Sequence, residues 1–223
     1  MLSVVMPSRP EGVRLLAAIQ RLSSLGGQGE IVVAAHDESA AVRRRATRCA
    51  RLRWVECPRA CRGEQLAMGA RAATGETLLF LHTDTQLPAG ASVAIARALA
   101  APSVAGGAFR LSFDATHPAL AMLSRLSALP WRCAYLGDQG IFCRRDDYQG
   151  VGGFRPFPLF EDVDLARRLA RRGRLVRLPL AARTSARRFF ASGTWRQLAT
   201  NAVLMLRYYA GASPERLARR YRP

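Results

Sequence analysis

Residues 76 to 88, ETLLFLHTDTQLP, pass from a continuous apolar run into His82, Thr83, Asp84 and Thr85 and then turn at Pro88. An aspartate at the end of a buried strand can hold a hard cation; Mg²⁺ or Mn²⁺ commonly binds one or two carboxylates together with substrate phosphates. Asp84 is the metal-ligand candidate on that ground, and His82, two residues earlier, lies on the same side of an extended chain. The same aspartate would also serve to cap the next helix or to close the turn before Pro88. A second carboxylate group follows in FEDVDLARRLARRG, residues 160 to 173. On a helix, Asp162 centres on the stripe Leu165, Ala166, Leu169 and Ala170 and faces inward, whereas Asp164 shares a face with Arg168 and Arg171 and is expected in solvent. An inward carboxylate in the first helical turn is stabilised as the anion by the helix dipole. That suits a general base, and suits an acidic capping residue equally.

These residues need a frame that brings strand ends together. LSVVMP, EIVVAA, LRWVEC and TLLFL read as four short strands within the first 81 residues, separated by helical patterns at 11 to 24, 39 to 51 and 62 to 73. The third of these helices puts Arg62, Gln65, Leu66, Gly69, Ala70 and Ala73 on one face, and so many small residues permit a close approach to a sheet. Alternating strands and helices predict a largely parallel sheet with ligands at the carboxyl ends of its strands. Beyond Pro88 the spacing predicts a helix over 89 to 100, a strand over 104 to 113 and a helix near 117 to 129. A short strand at QGIFC, a helix over 161 to 172, the strand RLVRLP and helices near 193 to 210 and 214 to 221 complete the chain. No repeat or linker interrupts the 223 residues, so one α/β domain is expected.

Composition narrows the chemistry. All 34 basic residues are arginine, the formal net charge is +18, and no lysine is present, which excludes Schiff-base and lysine-nucleophile mechanisms. Residues 160 to 223 hold 15 arginines against Glu161, Asp162, Asp164 and Glu215, so a polyanion, an anionic lipid headgroup or a diphosphate would be attracted to the C-terminal end. The five cysteines, Cys49, Cys57, Cys61, Cys133 and Cys143, form no C-x-x-C pair, and no signal peptide is recognised. Reduced thiols and a cytoplasmic location are expected, with peripheral membrane association through the basic C-terminal region. No apolar run reaches the length of a membrane span. The segment LATNAVLMLRYYAG, residues 198 to 211, is expected to pack on the core rather than lie on a membrane.

Taken in order, LSVVMP, EIVVAAHDES, RGEQLAMGARAATGETLLFLHTDTQLP, LGDQGIFCRRDDYQGVGGF, PLFEDVDLARRL and TSARRF resemble the GT-A glycosyltransferases of family 2 over nearly the whole chain. The likeness is greatest to small stand-alone bacterial members whose metal motif reads His-x-Asp, a subgroup associated with arsenosugar biosynthesis. The resemblance implies a GT-A fold, a Rossmann-like, mostly parallel mixed sheet flanked by helices, with a nucleotide-sugar half over residues 1 to 100 and an acceptor half over 101 to 223. It implies a nucleotide-diphosphate sugar donor, a divalent cation (Mg²⁺ or Mn²⁺) and single displacement with inversion onto an unknown acceptor hydroxyl. By the same resemblance Asp84 holds the cation and His82 lines the donor site or assists the metal. Arg62 and Gln65 contact the nucleotide, Asp138 and Gln139 meet acceptor or sugar, and Arg187 and Arg188 bind the leaving diphosphate. Asp162 acts as general base with Glu161 beside it. The sequence departs from the family pattern at the end of the second strand, where Ala34 and Ala35 stand and Asp37 is the substitute for a base-reading aspartate. It departs again after the first strand, where SRPEG replaces the usual asparagine, and at Ala67 in the third helix.

Three other readings stay open. A sugar-1-phosphate nucleotidyltransferase would want a glycine-rich basic loop after the first strand, which PSRPEGVR is not. A basic binding module for anionic membrane or nucleic acid would bind in a steeply salt-dependent way; no specific nucleic-acid signature is found. A zinc site built from His36, His82, His117 and cysteines has no common ligand spacing.

Overall fold

β1 (Leu2–Ser8), β2 (Gly29–Ala35), β3 (Leu52–Glu56) and β4 (Thr77–Phe80) lie parallel in the order β3-β2-β1-β4. These elements come from a computed structural model that describes residues 1–24, 29–129 and 135–221; Gly26, Gly27 and Cys133 fall outside them. The centres of β1, β2 and β4 are apolar and buried because both sheet faces are covered there, whereas the edge strand β3 carries Arg53 and Glu56 and is only partly buried. Alternate residues divide between two cores. Val4, Met6, Val33 and Leu79 face α1 (Val13–Ser24) and α4 (Ala91–Leu99), while Val5, Val32, Leu78 and Phe80 face α3 (Arg62–Ala72) and α7 (Glu161–Arg172). The small-residue stripe of α3 does what its composition implies. A Cβ built on Gly69 would lie 2.5 Å from Val5 Cγ1, so the helix axis sits closer to β1 than any larger residue would permit.

Beyond β4 the sheet changes direction. β7 (Ile141–Arg144) runs antiparallel to β4 and to β6 (Val104–Phe113), and β8 (Arg174–Thr184) runs parallel to β6. The two-residue β5 (Thr85–Gln86) closes the far edge against β8, so the segment just after Asp84 is tied to the C-terminal half of the sheet. Four of the seven strand pairings are parallel, giving the expected mixed, mostly parallel sheet.

Several elements differ from expectation. α2 is short, Ala40–Ala46, because after Thr47 the backbone bonds tighten to the i→i−3 pattern, Arg48 N to Arg45 O at 3.4 Å and Cys49 N to Ala46 O at 3.1 Å. β8 continues past Pro179 to Thr184 with a register shift between Phe109 and Arg110 of its partner, which accommodates the proline. Two six-residue helices, α6 (Arg145–Gly150) and α8 (Arg187–Ser192), are too short to show a helical period. α5 (Pro118–Ser127) starts on His117, whose ring caps the Ala119 amide at 3.2 Å; α9 (Thr194–Tyr209) and α10 (Pro214–Arg220) finish the fold.

Candidate active site

The carboxyl end of β4 opens into a cavity of about 250 Å³. Its wall includes Arg9 and Glu11 after β1, Arg62 and Gln65 of α3, His82 to Asp84, and Asp138. Thr184 and Ser185 at the end of β8, Arg188 and Phe189 of α8, Ala218 of α10 and Tyr221 just after it also form part of the wall. Asp84 is not a helix cap, since α4 begins behind Gly90. Its Oδ1 is buried with no hydrogen-bond partner among the described residues. A buried carboxylate oxygen left unpaired is costly unless a ligand completes it.

Asp138 arrives from a 3₁₀ turn, Gly137–Gln139, which precedes β7. Its Oδ1 lies 2.8 Å from His82 Nδ1, and His82, Asp84 and Asp138 each present a ligand atom within 4.8 Å of the others. One imidazole and two carboxylates form a donor set suited to a divalent cation, and the orphaned Asp84 oxygen fits one as well. Burial works against the charged form of Asp138. The His82 hydrogen bond and the nearby charges of His82, Arg62 and Arg188 outweigh it and hold its pKa down at about 2. Asp84 is pushed the other way, by burial first and then by the Asp138 charge. Burial opposes protonation of His82, but the bond to Asp138 wins and raises its pKa.

A glycine makes this packing possible. A Cβ on Gly137 would stand 2.6 Å from His82 Nε2 and 3.2 Å from Asp162 Oδ2, so only hydrogen fits between the imidazole and the α7 carboxylate. Asp162 accepts from Gly137 N at 2.5 Å through Oδ2 and from Val163 N at 2.7 Å through Oδ1. It faces inward, as the helical stripe predicts, and fixes the turn that carries Asp138. Beside it, the fully buried Glu161 forms an ion pair with Arg62 through Arg62 Nε and again through Nη2 at 3.1 Å. Burial raises the Glu161 pKa while Arg62 restrains the rise. Asp164 differs from expectation: it is buried under Arg168, which reaches its Oδ2 at 2.6 and 2.9 Å, with Arg155 on the other oxygen.

The remaining sequence candidates divide by place. Arg62, Gln65, His82, Asp84, Asp138 and Arg188 share the cavity wall. Gln65 commits both amide hydrogens to the strand-end carbonyls Ser8 O (2.6 Å) and Ala34 O (2.9 Å), so it ties β1 to β2 beneath the cavity. Gln139 is buried behind it, accepting from Arg177, whose guanidinium stacks on Tyr135 at 4.2 Å. Arg187 is exposed on α8, and Asp37 is exposed after β2 with a φ of 56°. Of the other histidines, His36 bonds Cys57 O at 2.9 Å and His117 caps α5, so neither joins His82.

Glu11 escaped the sequence reading. It receives a hydrogen bond from the Thr83 hydroxyl, its backbone amide donates to Glu38 at 2.7 Å, and burial raises its pKa. In SRPEG the sequence pattern shows a missing asparagine and the absence of a glycine-rich loop, and neither points to Glu11.

No family model and no curated protein sequence matches the chain. Solved structures do match its fold. A mannosyltransferase from Pyrobaculum calidifontis in complex with GDP-Man and Mn²⁺ superposes with a TM-score of 0.71 at 21% identity over 96% of this chain and 66% of that one. TarS of S. aureus superposes with a TM-score of 0.65 at 12% identity, over 82% of this chain and 36% of that one. Its 1–349 fragment in complex with UDP-GlcNAc gives 0.64 at 12% identity, covering 82% and 58%. The chain thus spans about a third to two thirds of the length of these proteins, and its fold is the GT-A fold.

Proposed function

We propose that the protein is an inverting glycosyltransferase of the family 2 kind, in the His-x-Asp subgroup. It would move one sugar from a nucleotide-diphosphate donor to an acceptor hydroxyl. The observation that carries this reading is the partnerless buried oxygen of Asp84, grouped with His82 and Asp138 at the mouth of a strand-end cavity. Solved proteins of the same fold that bind GDP-Man with Mn²⁺, and UDP-GlcNAc, support it. A divalent cation held by these three groups would offset the charge that collects on the diphosphate as it departs. Arg188 adds positive charge on the same wall, where Arg62 is already matched by Glu161 and offers direction rather than net charge, and Arg187 extends it outward along α8. The half containing β1 to β4 would hold the nucleotide, with Gln65 bracing its floor and Asp37 beyond the end of β2 reading a base that extends past the cavity. Asp138 and Gln139 open the half that would receive the acceptor.

Asp162 is the proposed general base, with Glu161 and Arg62 fixing the helix start that carries it. Its bond to Gly137 N favours a second reading, in which it only positions the Asp138 turn. One panel separates them. Asp84→Asn should abolish the Mn²⁺-dependent thermal shift given by nucleotide-diphosphate sugars; a shift of wild-type size would sink the transferase reading. Asp162→Asn should keep that shift and lower turnover by about 10²-fold or more if it is the base. If it only positions the turn, the shift and turnover will fall together.

A further inference from the structure

The outer face of α9 is apolar where a surface helix is normally polar. Its inner side meets the Phe160 cluster through Leu204, Met205 and Tyr208, yet Trp195, Val203 and Leu206 are 61%, 47% and 70% exposed. With Ala199 and Ala202 these form one stripe at helical spacing. The stripe continues sideways: the His117 ring lies 6.3 Å from both Trp195 and the exposed Phe190 of α8, and α5, packed against α9, exposes Met122 and Leu126. Neither α5, α8 nor α9 contains a carboxylate. They do carry the exposed Arg125, Arg187, Arg196 and Arg207, none of which forms an ion pair with a described carboxylate.

We propose that this face docks in the plane of an anionic lipid bilayer. Exposed tryptophan, leucine and valine beside unpaired arginines match the boundary between acyl chains and anionic headgroups, where both kinds of group are satisfied. A second copy of the chain fits poorly, because pairing the face with itself would oppose arginine to arginine. A nucleic acid would leave the apolar stripe without a partner. The helix lies along the surface rather than through it, since no described helix is long and apolar enough to cross a membrane. α8 links the two regions: Phe189 lines the cavity and Phe190, the next residue, belongs to the docking face. The cavity mouth is therefore held near the headgroup plane.

The test is co-sedimentation of the full chain with vesicles of phosphatidylcholine alone and of phosphatidylcholine mixed with phosphatidylglycerol. Binding is expected only to the mixed vesicles, with a blue shift in tryptophan emission that Trp195→Ser/Leu206→Ser lacks, and should weaken as salt shortens the Debye length. The variant Trp195→Ser/Leu206→Ser should lose at least tenfold in partitioning. Arg196→Gln/Arg207→Gln, which leaves the stripe intact and should melt like the wild type, should lose roughly fivefold per arginine at low salt. Equal binding to both vesicle types, or unchanged binding by either variant, overturns the proposal. So does a dimer that Trp195→Ser/Leu206→Ser converts to monomer without any vesicle-bound fraction. No donor or metal enters the assay, so this proposal and the transferase reading fail separately.

Discussion

Gly137 decides whether three side chains from distant parts of the chain can share one site. Its missing Cβ leaves room for the His82 ring on one side and the Asp162 carboxylate on the other, and its amide donates to Asp162. His82 and Asp138 stay within hydrogen-bonding reach only while that gap is open. Gly137 is not itself in the left-handed region, so alanine adds a steric conflict and no backbone strain. Gly137→Ala should therefore leave the secondary structure intact, as read by circular dichroism, while the imidazole is displaced from Asp138. The expected result is at least a tenfold weaker Mn²⁺-dependent response to nucleotide sugars, with a melting temperature lowered by only a few degrees, because a local clash commonly costs about 1 to 3 kcal/mol. A variant that binds like the wild type would show that His82 does not need its present position.

At the scale of elements, Glu30 of β2 joins three strands at the end of the sheet opposite the site. It accepts from Ser3 Oγ of β1 at 2.5 Å, and from Thr74 Oγ1 at 2.9 Å, Gly75 N at 3.3 Å and Thr74 N in the turn before β4. Burial alone would raise its pKa, but these donors prevail and hold it below the ordinary 4.5. A carboxyl group whose folded pKa is depressed contributes stability above its unfolded pKa and loses it as pH falls through the folded value. Glu30→Gln should thus melt lower than the wild type at pH 7, by on the order of 1 to 3 kcal/mol. The difference should be full above about pH 5 and shrink below 4.5. Calorimetric melts between neutral and acid pH check this, and a difference that grows on acidification would refute the assignment.

The parallel half of the sheet was legible because β1, β2 and β4 have apolar centres and the buried face of α3 is rich in small residues. Asp84 and His82 were legible as polar residues ending such a run. Asp138 was named only through the family resemblance; its contact with His82 was not readable from local pattern, since it spans 56 positions and depends on the antiparallel pairing of β7, a strand whose existence the sequence shows but whose direction it does not. The six-residue α6 and α8 and the two-residue β5 fall below the length at which a period can be counted. Asp162 was read correctly as inward, but its bond to Gly137 depends on tertiary packing.

Across the whole molecule, the C-terminal helices hold the start of α7 in an unusual backbone state. Phe160 immediately precedes Glu161 and has a φ of 63°, a left-handed conformation that costs a bulky residue about 1 to 2 kcal/mol. Offsetting contacts come from α9 and α10: Phe160 stacks on Tyr208 with ring centres 4.8 Å apart and packs with Leu204 and Leu217, beside Val163 of α7 itself. Ala218 of α10 and Tyr221, the residue that ends it, stand on the cavity wall. Loosening that cluster should consequently reach the site although none of its members is a candidate ligand. Leu217 is 2% exposed, and Leu217→Ala should cost about 2 to 5 kcal/mol. Hydrogen exchange should then quicken at residues 160 to 165 and along α9 and α10, while β1 to β4 keep their protection until global unfolding. Donor affinity should fall in parallel, because the Glu161–Arg62 pair and the Asp162–Gly137 bond both depend on where α7 begins. Unchanged exchange at 160 to 165, with loss confined to α10, would mean that α7 holds its own start and that the C-terminal helices only cover it.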